Sequence, residues 1–182
     1  RNTMTISMDV RSDLGSGNFF TFTYGKDSTY YDFLRVRGTE VRNAITTSSY
    51  TAEKEVKASG ALTGTWQNVV LVIDKTNMKL YLDGSLVDEN TNTEITTASL
   101  GTDLLAYLGK SFYSPDGYFK GSFDNFKVYN RVLSEEEILD PVIDRVPLLK
   151  KITIGSTPQD PASTMGTDNH TAITAKMDQE KK

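Results

Sequence analysis

The side chains in this sequence that could carry chemistry are mostly carboxylates and tyrosines. Asp32, Glu40, Glu53, Asp83, Asp116 and Asp124 are spread along the chain. Hydrolysis of a glycoside needs two carboxylates about 5–10 Å apart, and none of these six sits in a catalytic signature. His170 is the only histidine and lies near the end of the chain, which argues against a serine–histidine–aspartate triad. Cysteine is absent, so thiol catalysis, zinc–thiolate sites and disulfide scaffolds are excluded together. Tyr30, Tyr31, Tyr50, Tyr113 and Tyr118 lie in or near turn sequences. Exposed rings of this kind stack on the C–H faces of sugars, and polar groups fix the orientation. Tyr31, Tyr113 and Tyr118 are the ring candidates, with Arg35, Arg42 and Asn43 as hydrogen-bonding partners. Nine tyrosines in a strand-rich chain also serve core and edge packing, so both uses stay open.

Those residues need elements to hold them. At 182 residues, with 37% hydrophobic and 24% charged content, the chain can bury the core of one ordinary domain with some length left over. Its net charge of −4 comes with no basic run longer than a pair such as Lys181-Lys182, which sets nucleic-acid binding aside. No apolar run reaches the roughly 18 residues of a membrane span. The chain begins at Arg1 directly in a strand-like pattern and reads as an excised or processed piece, so the lack of a targeting segment says nothing about location.

Met4, Ile6, Met8 and Val10 alternate with polar residues and predict a half-buried strand. Phe20, Phe22 and Tyr24 are expected to share one face of the next. Tyr31–Val36 and Val41–Thr46 follow, and the polar stretch from Ser48 to Ser59 reads as a strand flanked by loop. Trp66–Asp74 (WQNVVLVID) is apolar enough to be buried on both faces, and Trp66 at its head is expected to be buried. Met78–Leu82 leads into Asp83-Gly84, a strong hairpin signal. Strands at Leu104–Leu108 and Tyr118–Tyr129 complete the pattern. Many short strands with almost no helical periodicity predict an all-β sandwich or barrel. One short helix is expected at Ser134–Ile138, where Ser134 and Glu137 can form a capping box. After Leu139 the composition changes. Residues 140–150 read as a linker and 151–182 as the beginning of a second β module.

Two stretches carry a resemblance. Trp66-Gln67-Asn68-Val69-Val70 followed by Leu80-Tyr81-Leu82-Asp83-Gly84 resembles the W-x-x-V-A … L-Y-x-D-G core of laminin-G-like domains. The run from Leu108-Gly109 through Phe119-Lys120-Gly121-Ser122-Phe123-Asp124 to Tyr129-Asn130-Arg131-Val132-Leu133-Ser134 and Glu137-Ile138 matches the ordered second half of that pattern. The resemblance covers roughly residues 3–139 and implies a concanavalin A-like antiparallel jelly-roll sandwich. A narrower likeness, in Gly17–Asp27, Tyr31–Arg35 and Arg42–Thr47, is to laminin-G-like modules appended to bacterial extracellular glycoside hydrolases of the family 43, arabinofuranosidase type. Ile152–Met177 resembles a module that follows in such proteins.

The resemblance implies a non-catalytic carbohydrate-binding accessory module of a secreted, multidomain protein. Its expected partners are a polysaccharide or glycan and the neighbouring domains. A structural spacer or protein–protein adhesion module is the alternative. Glucanases of this fold carry E-x-D-x-x-E on one strand, which this chain lacks. Calcium is the one metal in view: related sandwiches hold a structural ion with backbone carbonyls and one or two acids, and Asp124 in the G-x-x-D element is the candidate ligand. Lys110–Ser114 lacks the carboxylates of a pentraxin-type double calcium site. The family pattern also has a further N-terminal stretch before the strand at Met4–Val10. The expectation is that upstream sequence supplies a strand beside Phe126 and Val128.

Overall fold

The computed structural model describes residues 2–139, which belong to the compact unit Arg1–Leu139. The expected linker at 140–150 and second module at 151–182, with His170, lie outside the described residues. The strands are β1 (Thr3–Ser12), β2 (Phe22–Gly25), β3 (Tyr31–Arg37), β4 (Glu40–Thr46), β5 (Lys54–Ser59), β6 (Trp66–Asp74), β7 (Asn77–Leu82), β8 (Ser85–Asn90), β9 (Leu105–Leu108) and β10 (Gly121–Tyr129). Helix α1 spans Glu135–Leu139. A front sheet runs β5-β4-β3-β2-β9 and a back sheet β10-β1-β6-β7-β8, with every pairing antiparallel.

Alternation along the strands fills the space between the sheets. Ile6, Met8 and Val10 of β1 meet Phe22, Leu34, Val41, Ile45 and Val56 of the front sheet, and Val69, Leu71, Ile73 and Leu80 complete the back wall. The hairpin between β7 and β8 turns at Asp83 (φ 50°) and Gly84 (φ 79°), the positive-φ pair of a primed turn. Its second strand, SLVDEN, is too polar to announce itself by periodicity.

A second cluster lies on the outside of the back sheet. Val70, Val72 and Tyr81 are covered by Leu133 and Ile138 of the segment that ends in α1. That segment is tied down by Thr5, whose hydroxyl donates to the Arg131 carbonyl (2.8 Å) and accepts from the Leu133 N–H (3.1 Å). The expected capping box is present: the Ser134 N–H donates to the Glu137 carboxylate (2.9 Å) and the Glu137 N–H to Ser134 Oγ (3.3 Å).

Two expectations need correction. Phe20 precedes β2 and does not share the inner face of Phe22 and Tyr24; it packs with Tyr31, Phe33 and Ala44 on the outside of the front sheet. Trp66 is 47% exposed. Val69, Leu71 and Ile73 point inward, so period two puts Trp66 outside with Val70 and Val72, beyond the reach of the covering segment. On one flank the inward-facing residues of the edge strands stay accessible: Val128 of β10 is 54% exposed, and Phe126 and Leu108 are exposed as well.

Candidate functional site

The outer face of the front sheet carries an aromatic cluster that the alternation of β3 and β4 creates. Leu34 and Val36 point into the core, so Tyr31, Phe33 and Arg35 point out. Arg42 pairs with Arg35, and Ala44 with Phe33, on the same outer side. Phe20 stacks on Phe33 with ring centroids 4.0 Å apart and planes 6° from parallel. Tyr113 meets Phe20 and Tyr31 edge-on at 6.4 and 5.8 Å, and Tyr50 meets Tyr113 at 6.3 Å.

This arrangement lines a depression of about 370 Å³, with Phe20 and Phe33 below, Tyr113 and Tyr50 beside, and Asn18, Arg35, Arg42, Glu53 and Asp116 supplying polar groups. Tyr50 sits in a short 3-10 turn (Tyr50–Ala52) and is 65% exposed. It is the ring most open to a visitor.

Arg35, Arg42 and Glu53 are fixed by charged and hydroxyl neighbours. Arg42 donates to Glu53 (2.5 Å) and Glu55 (2.6 Å), and its guanidinium lies over the Phe33 ring at 5.2 Å. Burial alone would push the Arg42 pKa down, but the hydrogen bonds and charges of Glu53 and Glu55 outweigh it and hold the pKa above its ordinary value. For Glu55, desolvation pushes upward, yet Lys57 and Arg42 win and the carboxylate titrates below its usual range. Glu40 behaves likewise: desolvation is outweighed by Arg35, which donates to it at 2.7 Å. The Tyr31 hydroxyl donates to Glu53, and burial followed by that bond drives its pKa far upward, so it remains a donor. Tyr113 Oη donates to the Ser28 carbonyl at 2.8 Å, which locks the wall ring in place.

The residues singled out from sequence separate into groups. Arg35 and Tyr113 line the depression. Tyr31 is a correction: it lies beneath the depression, fully buried and closed to a sugar, and it supports the site by packing against Phe20, Phe33 and Tyr113 and by holding Glu53. Tyr118 is 72% exposed on a neighbouring hollow that shares Tyr113 and Asp116 with the first. Asn43 is a correction. It faces the core, where its Nδ2 donates to Asp32 Oδ1 (2.8 Å) and the Phe33 carbonyl (2.7 Å), because it pairs with inward-pointing Leu34. Asp124 lies on the other sheet, on β10 beside Asp9, and its Oδ1 accepts the Asn125 N–H (2.7 Å). Among the described residues, no group of three or more histidine or carboxylate side chains is placed to hold a metal ion. Phe20 and Phe33 were not singled out as site residues, and Glu53 was weighed only as one of six carboxylates for hydrolysis. Phe33 and Arg35 at alternate positions of one strand were the available signal, but alternation does not say which face is inward.

Residues 1–139 match the laminin-G family model described as the concanavalin A-like lectin/glucanases superfamily. An alpha-L-arabinofuranosidase of Bifidobacterium longum subsp. longum is 32% identical over 142 residues, which is 70% of this chain and 13% of that enzyme. The chain therefore spans only a small part of this curated relative. The Ruminococcus gnavus IT-sialidase CBM40, solved bound to alpha2,3 sialyllactose, superposes with a TM-score of 0.66 at 19% identity, covering 76% of this chain and 81% of that one. Domain 4 of AbnA, a GH43 extracellular arabinanase from Geobacillus stearothermophilus solved with arabinotriose, gives 0.59 at 19% identity, covering 76% and 65%. The matched sequence pattern and the two five-stranded sheets agree, and the chain belongs to the concanavalin A-like lectin/glucanases superfamily through a laminin-G-type sandwich.

Proposed function

We propose that the chain is a non-catalytic carbohydrate-binding module of a larger extracellular carbohydrate-active protein, and that it holds a neutral sugar in the depression on the front sheet. The observation that carries this reading is the stacked Phe20–Phe33 floor with Tyr113 and open Tyr50 beside it, rimmed by hydrogen-bonding groups that are already fixed. Aromatic rings accept the C–H face of a sugar, and prepositioned polar groups meet its hydroxyls without losing further freedom. The charge pattern supports a neutral ligand. Arg35 is matched by Glu40, and Arg42 by Glu53 and Glu55, so a carboxylated sugar would compete with carboxylates already in place. The binding of sialyllactose by one structural neighbour and of arabinotriose by another makes these two sugars the natural contrast.

A hydrolytic role has less support. A general acid needs a raised pKa, whereas Glu40 and Glu55 are lowered and Asp32, which is raised, faces the core.

Isothermal titration with arabinotriose and with sialyllactose tests the reading. Arabinotriose is expected to bind and sialyllactose is not. Tyr50→Ala should weaken arabinotriose about tenfold, equivalent to ~1.4 kcal/mol, with the melting temperature unchanged because Tyr50 is on the surface. Failure to bind arabinotriose, arabinan or xylan would favour a spacer or adhesion role. Turnover of an aryl arabinofuranoside that a single carboxylate change abolishes would overturn the non-catalytic assignment.

A further inference from the structure

The outer face of the back sheet holds a second, unrelated constellation. Trp66 is the chain's only tryptophan, and it stands at the uncovered end of β6. Packing gives it no reason to be there: the covering segment reaches Val70 and Val72 and stops. A single exposed apolar residue is ordinary on a protein surface; what sets Trp66 apart is that it lines a hollow together with Asp9, Asn68 and Asp124.

Polar groups are arranged beside it on three adjacent strands. Arg11 of β1 pairs with Trp66, Asp9 with Asn68, and Asp124 of β10 with Asp9. A one-residue bulge in β10 opposite Met8 places Asn125 at φ 49°, a conformation asparagine tolerates better than most residues. The bulge aims the Asn125 amide at Asp9 Oδ2 (2.6 Å), while the Asn68 amide donates to Asp9 Oδ1 (2.7 Å). Asn68 is itself held through its backbone N–H by Asp83 Oδ1 (2.8 Å). Asp124 Oδ1 takes the Asn125 N–H, and its Oδ2 accepts no hydrogen bond among the described residues. Asp9, Trp66, Gln67, Asn68 and Asp124 line a hollow of about 340 Å³, within the size range of small-ligand sites.

We infer that this hollow is a second glycan subsite, in which a neutral sugar ring lies on the Trp66 indole and donates hydroxyl hydrogen bonds to Asp124 and Asp9. A flat indole matches the C–H face of a sugar. The nearby acceptors are carboxylates, which suit hydroxyl donors and disfavour an acidic sugar. The groups stand on paired strands and are cross-linked by their own hydrogen bonds, so the geometry exists before the ligand arrives. Front and back sheets would then each hold sugar, and one module could engage two chains or two stretches of one chain. The inference extends the carbohydrate reading to the other face but stands on different residues.

As the only tryptophan, Trp66 reports on this site alone. Its emission in the full chain, titrated with soluble arabinan, xylan and β-glucan, should shift to the blue and gain protection from iodide with at least one of them. The response should persist in Tyr50→Ala and disappear in Asp124→Ala, and Trp66→Ala should remove one of two classes of site in calorimetry. It should also persist in EDTA; loss there would assign Asp124 to a cation and overturn the direct contact. Emission unchanged by all three glycans, or already blue-shifted and iodide-protected without glycan, overturns the inference. The front-sheet reading fails separately, if binding survives Tyr50→Ala undiminished while the emission response remains.

Discussion

At the scale of single residues, burial decides what each ionisable group can do. Asp32 is wholly buried between the sheets, and desolvation raises its pKa well above the carboxylate range despite the stabilising bond from Asn43. Among the described residues, Asp32 Oδ2 has no hydrogen-bond partner, and protonation there removes the cost of leaving a charged oxygen buried without a donor. A raised pKa stabilises below the ordinary value and loses that contribution as pH climbs through the folded value. Asp32→Asn should therefore raise the melting temperature at pH 7, and the gain should vanish below about pH 4. Thermal melts of the two proteins across that range check it. Glu137 has the opposite sign. Hydrogen bonds from Arg131 and the Ser134 N–H lower its pKa from 4.5 to about 2. Its contribution is present above the ordinary value and is lost as pH falls through the folded one. Glu137→Gln should flatten the acid limb of the stability profile between about pH 4.5 and 2 and leave the alkaline limb alone.

At the scale of elements, close strand approaches set the tolerances. A Cβ on Gly121, at the start of β10, would stand 2.0 Å from the Arg11 carbonyl oxygen and 2.6 Å from the Phe119 ring. Backbone cannot move aside cheaply there, so Gly121→Ala should cost about 3 kcal/mol in urea unfolding. A melting curve within a degree of the parent's would contradict that. The pairing signals were largely legible in sequence: WQNVVLVID is β6 from end to end, and Asp83-Gly84 is the hairpin turn. Strand β8 was not legible, because an edge strand with one polar face has little apolar alternation to display.

At the scale of the whole molecule, the two sheets close well at the β5–β8 side and leave inward-facing Leu108 and Val128 accessible at the other. Apolar side chains left accessible on edge strands favour association. Leu108→Lys and Val128→Lys should lower concentration-dependent association in analytical ultracentrifugation while changing stability by less than about 0.5 kcal/mol.

Composition, strand periodicity and the ordered glycine–aspartate–tyrosine pattern determined the architecture, since local alternation and turn chemistry are properties of short stretches. They also put Tyr113 and Arg35 among the site candidates. Only the tertiary structure decided which face of each strand is inside. Alternation is symmetric until a second sheet covers one side, so Asn43 and Arg42, neighbours in sequence, end in the core and at the depression. The same rule turned Trp66 from an expected core residue into a surface ring. Phe20, just before β2, and Phe33 of β3 meet across the β2–β3 hairpin, a meeting that depends on how the chain enters β2 and on no alternation within one strand.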